Sequence, residues 1–195
     1  MSISSVKTGA IGDSLLAGNA AFNPTSYESI ATATGTGSSG TITFSSIPSG
    51  YSSLQIRWIG RNTDTSGSGT AAASLTFNSD TGANYSFHRL FGNGASRFAS
   101  GSASQNSITL NASVAGDASD ANVMCVGILD IHDYSNTSKN KTVRVLEGGD
   151  FNGQGQIDLS SGLWINTSAI TSLSIVANGS VSWNTQTRFS LYGIK

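Results

Sequence analysis

The sequence predicts an all-β protein: an antiparallel β-sandwich, jelly-roll-like, with a short irregular N-terminal arm. Three observations support this fold class. Short segments rich in β-branched and aromatic residues, many alternating with polar residues at a period of two, recur between turn-forming clusters. No stretch longer than two turns shows the apolar spacing of an amphipathic helix. Charged residues make up only 11% of the chain, against roughly 25% in an ordinary soluble domain.

Eleven segments carry the strand pattern, separated by clusters of Gly, Ser, Asn and Asp that favour tight turns. They cover residues 29–34, 41–44, 54–59, 74–77, 85–91, 107–110, 123–131, 142–146, 162–165, 173–177 and 188–194. Because no crossover helix separates them, such strands are expected to form an antiparallel sandwich or jelly roll. Two Ser- and Gly-rich stretches, 64–70 and 100–105, are predicted to be flexible loops.

The chain of 195 residues is long enough for one sandwich domain with a sizeable core. We assign this domain to residues 26–195 and an N-terminal arm to residues 1–25. The arm is rich in Gly and Ala and lacks strand alternation, so it is either a floppy terminus or a segment ordered by packing on a neighbouring subunit. Its large apolar residues favour the second interpretation. The predicted interface residues are Ile11, Leu15, Leu16 and Phe22.

Charge and hydropathy exclude several classes of partner. The net charge is −1 and no block of like charge occurs, so we expect no nucleic-acid partner. The N-terminus lacks the pattern of a signal peptide, and no apolar run approaches the roughly 18 residues of a membrane span, so no membrane contact is expected. Cys125 is the only cysteine, which excludes an intrachain disulfide. Its apolar neighbours predict a buried, unreactive thiol.

Residues 12–15 read Gly-Asp-Ser-Leu, the motif of the GDSL esterases, in which Ser14 would be the nucleophile. A nucleophilic serine needs a base within hydrogen-bond reach and a group that orients this base. The Asp-x-x-His pair near the C-terminus of those enzymes is absent, and Asp-Ile-His at 130–132 has a different spacing. That enzyme fold also needs helices between its strands, which this sequence does not predict. We therefore expect a protein that is not an enzyme and has no catalytic residue and no cofactor.

A glycine-rich motif and the two histidines also have structural interpretations. Residues 35–40, Gly-Thr-Gly-Ser-Ser-Gly, match a dinucleotide-binding pattern, but a strand-like segment follows where a helix is required, so we predict a hairpin loop. His88 is predicted to lie on the polar face of a strand. His132, Asp130 and Asp133 are too few to hold a metal without distant partners, so no metal is expected.

The three tryptophans, Trp58, Trp164 and Trp183, lie in or beside strand segments. A large ring buries much area at little entropic cost, so we predict that they pack in the core or between subunits. A stacking platform for a glycan is the alternative.

Nine short strings mark the chain from residue 15 to its end. They are Leu15-Leu-Ala-Gly-Asn19, Ser26-Tyr-Glu-Ser-Ile-Ala-Thr32, Ile42-Thr-Phe-Ser-Ser-Ile-Pro48, Leu75-Thr-Phe-Asn78, Asp80-Thr-Gly-Ala-Asn-Tyr85, Asp130-Ile-His-Asp-Tyr134, Lys139-Asn-Lys-Thr142, Ser161-Gly-Leu-Trp164 and Leu191-Tyr-Gly-Ile-Lys195. In this order the chain resembles the β-sandwich virion proteins of tailed bacteriophages, particularly those that infect cyanobacteria and marine bacteria.

The resemblance implies a protein on the outside of the phage particle, as a capsid decoration (cement) protein or in a fibre. We expect a decoration protein that binds the head shell through its arm and self-associates as a homotrimer, because fibre proteins usually carry an additional long shaft. Its partners would be the major capsid protein or other virion subunits. The alternatives are a tail-fibre or receptor-binding module, which contacts host glycan through a loop or a Trp-lined face, and the GDSL hydrolase discussed above.

Overall fold

A computed structural model of the chain describes residues 26–65, 69–116 and 122–195. These residues form strands and no helix, which confirms the all-β prediction. The strands are β1 (Tyr27–Thr34), β2 (Thr41–Phe44), β3 (Ser53–Gly60), β4 (Thr70–Phe77), β5 (Tyr85–Gly92), β6 (Arg97–Gln105), β7 (Ile108–Ala115), β8 (Cys125–His132), β9 (Lys141–Asp150), β10 (Gly155–Trp164), β11 (Leu173–Ala177) and β12 (Arg188–Ile194). In this part of the chain, no helix has the length and apolar character needed to cross a membrane.

The strands form two antiparallel sheets around one core. The larger sheet has the order β1-β12-β3-β8-β9-β10-β5-β6, and the smaller sheet has the order β2-β11-β4-β7. The first four strands of the larger sheet and the four strands of the smaller one follow the arrangement of an eight-stranded jelly roll, in which the chain alternates between the two sheets. The predicted jelly-roll-like sandwich is confirmed.

Four strands lie outside this jelly-roll framework and extend the larger sheet. Strands β9 and β10 form one hairpin, which follows β8 in the chain, and β5 and β6 form another, which follows β4. The two hairpins pair through β10 and β5, with Trp164 opposite Tyr85 and Ile157 opposite Gly92. Because the smaller sheet has half as many strands, it covers only part of the larger one.

The core lies between the two sheets and is built by strand alternation. In β9, for example, Val143 and Val145 are buried, whereas Arg144 and Leu146 lie on the opposite face. The largest fully buried side chains are Trp164, Trp183, Tyr85, Tyr134, Phe77, Lys141 and Phe189. Large apolar side chains each stabilise the fold by about 1.5–3 kcal/mol when fully buried, so this aromatic-rich core is the main source of stability.

A carboxylate in the connection between β4 and β5 ties the two sheets together. Asp80 accepts hydrogen bonds from the indole Nε1 of Trp164 at 2.8 Å, from the backbone N–H of Gly82 at 2.8 Å and from the side-chain amide of Asn84. These bonds, that of Trp164 first, hold the pKa of Asp80 below its ordinary value. The Tyr85 hydroxyl donates to the Asp80 carbonyl at 3.0 Å. These hydrogen bonds therefore hold the β4–β5 connection, which runs from the smaller sheet to the larger one, against the end of β10.

Lys141, at the start of β9, is a fully buried lysine. Its ammonium group donates to the carbonyl oxygens of Asn136 at 2.6 Å, Lys139 at 2.7 Å and Thr167 at 3.1 Å. Burial lowers the pKa of Lys141, and the nearby charge of Asp133 acts in the opposite direction. The three carbonyls replace the water that the ammonium loses, and they join the β8–β9 loop to the β10–β11 loop.

Strands β2, β11 and β12 have the predicted bounds, whereas the other predicted strands differ at their ends. The prediction of a flexible loop at 100–105 is wrong, because these residues belong to β6, which the sequence pattern does not reveal. Strand β6 consists mainly of Ser, Ala and Gly, but it pairs with β5, and Phe98 stacks on Phe91 with ring centroids 4.7 Å apart. In the other predicted loop, 64–70, the last residue already begins β4, and residues 66–68 lie outside the described part.

Residues 35–40 join two strands, but the prediction of a hairpin is wrong because β1 and β2 belong to different sheets. The backbone N–H of Gly37 donates to the Trp183 carbonyl at 2.8 Å. A Cβ atom added at Gly35 or Gly40 would lie 2.1 or 2.2 Å from a backbone carbonyl oxygen. These two glycines therefore allow two backbones to pack closely where the chain crosses between the sheets.

Candidate interaction surface

The outer face of the sheet extension carries a row of aliphatic side chains. Directly paired residues of neighbouring strands lie on the same face of a sheet. Ile128 of β8 pairs with Leu146 of β9, Leu146 with Leu159 of β10, and Leu159 with Leu90 of β5. The row faces away from the core, because the next residue along each strand, such as Leu129, lies on the inner face.

A second row runs beside the first, two residues further along each strand. In it, Val126, Gly148 and Ile157 are paired in succession. The exposed fractions are 57% for Val126 and 62% for Ile157, and in the first row they are 47% for Leu146 and 50% for Leu159. Single exposed aliphatic residues are ordinary, whereas contiguous ones mark contact surfaces. We call the following six residues the aliphatic band: Val126, Ile128, Leu146, Ile157, Leu159 and Leu90.

A groove of about 720 Å³ lies at one end of the aliphatic band. Its aliphatic walls include Val126, Leu146 and Ile157, and Gly148 between them leaves space where a side chain would otherwise stand. The turns that follow β5 and β9 complete the lining with several further glycines. The volume falls within the range of about 300–1,000 Å³ that binding pockets span, so the groove can accept side chains of a partner.

A charged cluster borders one side of the band. Arg144 lies 2.8 Å from the Asp130 carboxylate, which also accepts a hydrogen bond from the Gln55 amide at 2.7 Å. Burial alone would raise the pKa of Asp130, but the hydrogen bonds from Gln55 and Arg144 hold it below its ordinary value. The carboxylate is therefore ionised at neutral pH and engaged by its own neighbours.

Two arginines stand at the ends of the second row. Arg97 of β6 pairs with Gly92, which is opposite Ile157, and Arg188 of β12 pairs with Ile59, which is opposite Val126. Neither guanidinium forms an ion pair with any residue in the described ranges. The band thus combines an uncharged centre with cationic groups at its two ends.

The predicted interface residues of the arm lie outside the described residues. These residues are Ile11, Leu15, Leu16 and Phe22. Ser14 and the rest of the Gly-Asp-Ser-Leu motif also lie outside the described part, as does the whole of the predicted arm. The interface and the division between 1–25 and 26–195 therefore stay predictions.

The two histidines lie on different strands, His88 on β5 and His132 on β8. His88 is exposed on β5, as predicted. The Nδ1 atom of His132 lies 2.9 Å from the Ser53 hydroxyl oxygen, and Asp133 forms an ion pair with Lys139 at 2.7 Å. Over residues 26–65, 69–116 and 122–195, no three His, Cys, Asp or Glu side chains are grouped as metal ligands.

All three tryptophans are buried: Trp58 is 5% exposed, Trp164 1% and Trp183 0%. Their prediction as core residues is confirmed, and none of them presents a face on which a glycan could stack. Cys125 is buried as predicted, and burial raises the pKa of its thiol to about 12. The thiol is therefore protonated at neutral pH, and only the thiolate is a good nucleophile.

The sequence of β8 shows that both faces of this strand are apolar, but the pattern does not show which of the two faces is covered. Residues 126–131 of β8 are apolar on both faces of the strand, except at Asp130. Such a continuous run is typical of a strand covered on both sides. Here the structure provides a cover on one side only.

A comparison of the chain with protein-family models and with curated proteins finds no match. The chemistry of the surface is therefore the basis for interpreting it: the aliphatic band is suited to apolar contact with another protein.

Proposed function

We propose that this chain is a structural protein of a tailed-phage virion, and specifically a capsid decoration (cement) protein on the outer surface of the head shell. The aliphatic band is the observation that carries the proposal. A partner that covers this contiguous apolar surface removes it from water, and this lowers the free energy of the complex. The sequence resemblance supplies the class of partner, which is the major capsid protein or another virion subunit.

The band can supply useful binding energy. Full burial of a large aliphatic side chain contributes about 1.5–3 kcal/mol. Five residues of the band are roughly half exposed, so covering them contributes about 4–8 kcal/mol before the entropic cost of association. The low content of charged residues favours the same contact, because few charges lose their water when the surface is covered.

The arm provides a second contact in this proposal. Ile11, Leu15, Leu16 and Phe22 are buried against a neighbouring virion subunit, and the protein self-associates as a trimer. The competing assignment is a tail-fibre or receptor-binding module that contacts host glycan through a loop. The buried tryptophans offer no support for a Trp-lined glycan site.

Two measurements test the proposed function. Immunogold labelling or particle density should place the chain in many copies on the head of intact virions, whereas a small number of copies confined to the tail would overturn the decoration assignment. Co-sedimentation with undecorated particles should capture the full chain but not a folded chain that lacks residues 1–25. Capture of the truncated chain at full occupancy would show that the sandwich alone binds the shell.

A further inference from the structure

We propose that two copies of this chain pair edge to edge through β6, antiparallel to each other across a two-fold axis at Ala99. The occupant of the open β6 edge is thus β6 of a second copy. The inference goes beyond the proposed function, because this contact forms without a phage particle. Four observations support it: the exposure of β6, the direction of its backbone groups, the match between its two halves, and the position of the aliphatic band.

Strand β6 is the least protected of the four edge strands in the two sheets. Edge strands of natural proteins are protected by short length, by charged residues or proline, or by a cover. Strand β2 has only four residues, β1 carries Glu28 and an irregular register, and β7 packs on β9 and β10. Strand β6 has nine residues, most of them exposed, and Arg97 at its first position is its only charged residue. Within the described ranges, no strand pairs with its outer side.

The backbone of β6 presents hydrogen-bonding groups to this open edge. In an antiparallel ladder, pairs that are hydrogen-bonded to each other alternate with pairs whose N–H and C=O groups point away from each other. The N–H of Asn93 donates to the Ser96 carbonyl at 3.2 Å, so the next pair, which contains Arg97, is of the second kind. By the same alternation, the backbone groups of Arg97, Ala99 and Gly101 point towards the open edge.

The regular part of this edge ends at Ser102. Beyond it the pairing with β5 is irregular, Ser104 has a φ of 55°, and the Ala103 carbonyl accepts a hydrogen bond from the Gln105 side-chain amide at 2.8 Å. The three outward-facing residues of the regular part are centred on Ala99. A partner strand can therefore pair regularly only with this part of β6.

The two halves of the regular segment complement each other. When two β6 strands pair about Ala99, Ala99 faces itself, and the other residues face a different residue of the second copy. Arg97 faces Gly101 and Phe98 faces Ser100, so no like charges and no two large side chains are directly opposed. The three outward-facing residues form three hydrogen-bonded pairs, which is about six backbone hydrogen bonds.

The same register covers an exposed aromatic side chain. Phe98 is 45% exposed, and its ring stacks on Phe91. In the proposed pair, the Phe98 residues of the two copies are diagonal neighbours on one face, a separation that aromatic side chains can bridge. The contact therefore adds apolar burial to the backbone hydrogen bonds.

The edge contact leaves the surface proposed for shell binding uncovered. Edge pairing adds strands in the plane of a sheet and covers neither of its faces. Ala99 pairs with Leu90, so it lies in line with the first row of the aliphatic band. Across the contact this row continues from one copy to the other. Both bands stay available to the shell, and the contact uses no residue of the arm.

The contact adds to the trimer of the proposed function. A two-fold axis joins copies in pairs, whereas a trimer requires a three-fold axis. Copies joined through β6 therefore belong to neighbouring trimers, and the two kinds of axis together link trimers into a layer. A standard interface has about 20–30 residues a side, and the segment 97–101 is much shorter, so the contact is weak in solution. Copies held side by side on a shell pair more strongly, because their effective concentration is high.

Disulfide cross-linking of full-length chains tests the pairing and its register. Ala99→Cys places two thiols opposite each other, at the Cα separation of about 5.5 Å that a hydrogen-bonded antiparallel pair has and that a disulfide permits. The matched control is Thr32→Cys, because Thr32 is exposed on β1, the opposite edge strand of the same sheet. The native Cys125 is buried. Under oxidation, Ala99→Cys should form a two-chain disulfide at least about tenfold faster than Thr32→Cys.

A pair of charge variants tests the two-fold axis. Ala99→Lys and Ala99→Glu each place two like charges opposite each other, so each variant alone should associate more weakly than the wild type. In a mixture lysine faces glutamate, and the dissociation constant measured by light scattering should be at least about tenfold lower than for either variant alone. Thr32→Lys mixed with Thr32→Glu is the control and should show no such difference. A trimer that forms through another contact adds the same mass to every sample.

Two results would each overturn the proposal. One is an equal rate of cross-linking for Ala99→Cys and Thr32→Cys, and the other is a mixture of charge variants that associates no better than its components. Both positions are exposed, so the substitutions leave the fold intact, which equal melting temperatures confirm.

Failure of this inference is distinguishable from failure of the proposed function. The association assays contain no phage particles, whereas the function is tested by location on the virion. A chain found on the head that fails both assays refutes the edge contact and leaves the decoration role standing. A chain that passes both assays but lies on the tail refutes only the decoration role.

Discussion

Replacement of Asp80 by alanine should destabilise the sandwich more than substitution of a loop residue usually does. The change removes the acceptor for the indole N–H of Trp164, which is buried, and the acceptor for the N–H of Gly82. An orphaned buried donor costs about 1–3 kcal/mol, and a lost turn hydrogen bond costs about 1 kcal/mol. We therefore expect Asp80→Ala to lower the free energy of unfolding by about 2–4 kcal/mol.

The melting temperature gives a direct measure of this effect. With about 2.1 cal/mol/K of unfolding entropy per residue, a chain of 195 residues loses about 5–10 °C in melting temperature for such a change. The matched control is Asp150→Ala, because the Asp150 carboxylate accepts the backbone N–H of Asn152 at 2.9 Å in a turn but is bonded to no buried side chain. Thermal unfolding followed by tryptophan fluorescence compares the two variants. Equal melting temperatures would refute the reasoning.

The lowered pKa of Asp80 predicts that its contribution to the free energy of unfolding depends on pH. Because the pKa of Asp80 is lowered in the folded protein, its stabilising effect is fully present above the ordinary carboxyl pKa and is lost as the pH falls through the folded value. The difference in unfolding free energy between wild type and Asp80→Ala should therefore be constant from about pH 5 to 8 and shrink below about pH 4. A difference that stays constant down to pH 2 would contradict the assignment of a charged acceptor.

Three further predictions concern other buried positions. Cys125, whose thiol pKa burial raises to about 12, should resist a thiolate-specific reagent at pH 8 until the protein is unfolded; rapid labelling of the native protein would contradict its burial. Gly127→Ala should lower the free energy of unfolding by about 1–3 kcal/mol, because the added Cβ would lie 2.0 Å from the Trp58 ring. Chemical denaturation measures this effect. Gly50→Ala serves as a near-neutral control, because no atom lies within 4 Å of the added Cβ there. Lys141→Met should lower the unfolding free energy by about 2–4 kcal/mol, because it leaves three carbonyls without their donor, and an unchanged urea midpoint would refute that role.

The sequence is most informative where apolar alternation and turn residues coincide. Strands β2, β11 and β12 were predictable to the residue, because their buried residues alternate and polar or glycine-rich segments bound them. Strand β6 was not predictable in this way. It is held by the backbone ladder with β5 and by the Phe91–Phe98 pair, and its small side chains give no periodic signal.

The aliphatic band shows a different limit of sequence reasoning. Which face of a strand the fold covers depends on the side on which the other sheet packs, and this is a property of the topology. Leu146 and Val145 are adjacent aliphatic residues in one strand, yet only the second is buried.

The position of β12 between β1 and β3 has a consequence for the order in which the protein folds. Glu28 and Lys195, which form an ion pair beside these strands, are 167 positions apart in the chain. Until residues 188–194 have been synthesised, β1 has no partner in the larger sheet, and β3 lacks one of its two neighbours. Such distant pairings are slow to form because of the entropy of closing the long loop between them. The nascent chain therefore carries two open strand edges through most of its synthesis, and the sandwich can be completed only after translation of β12.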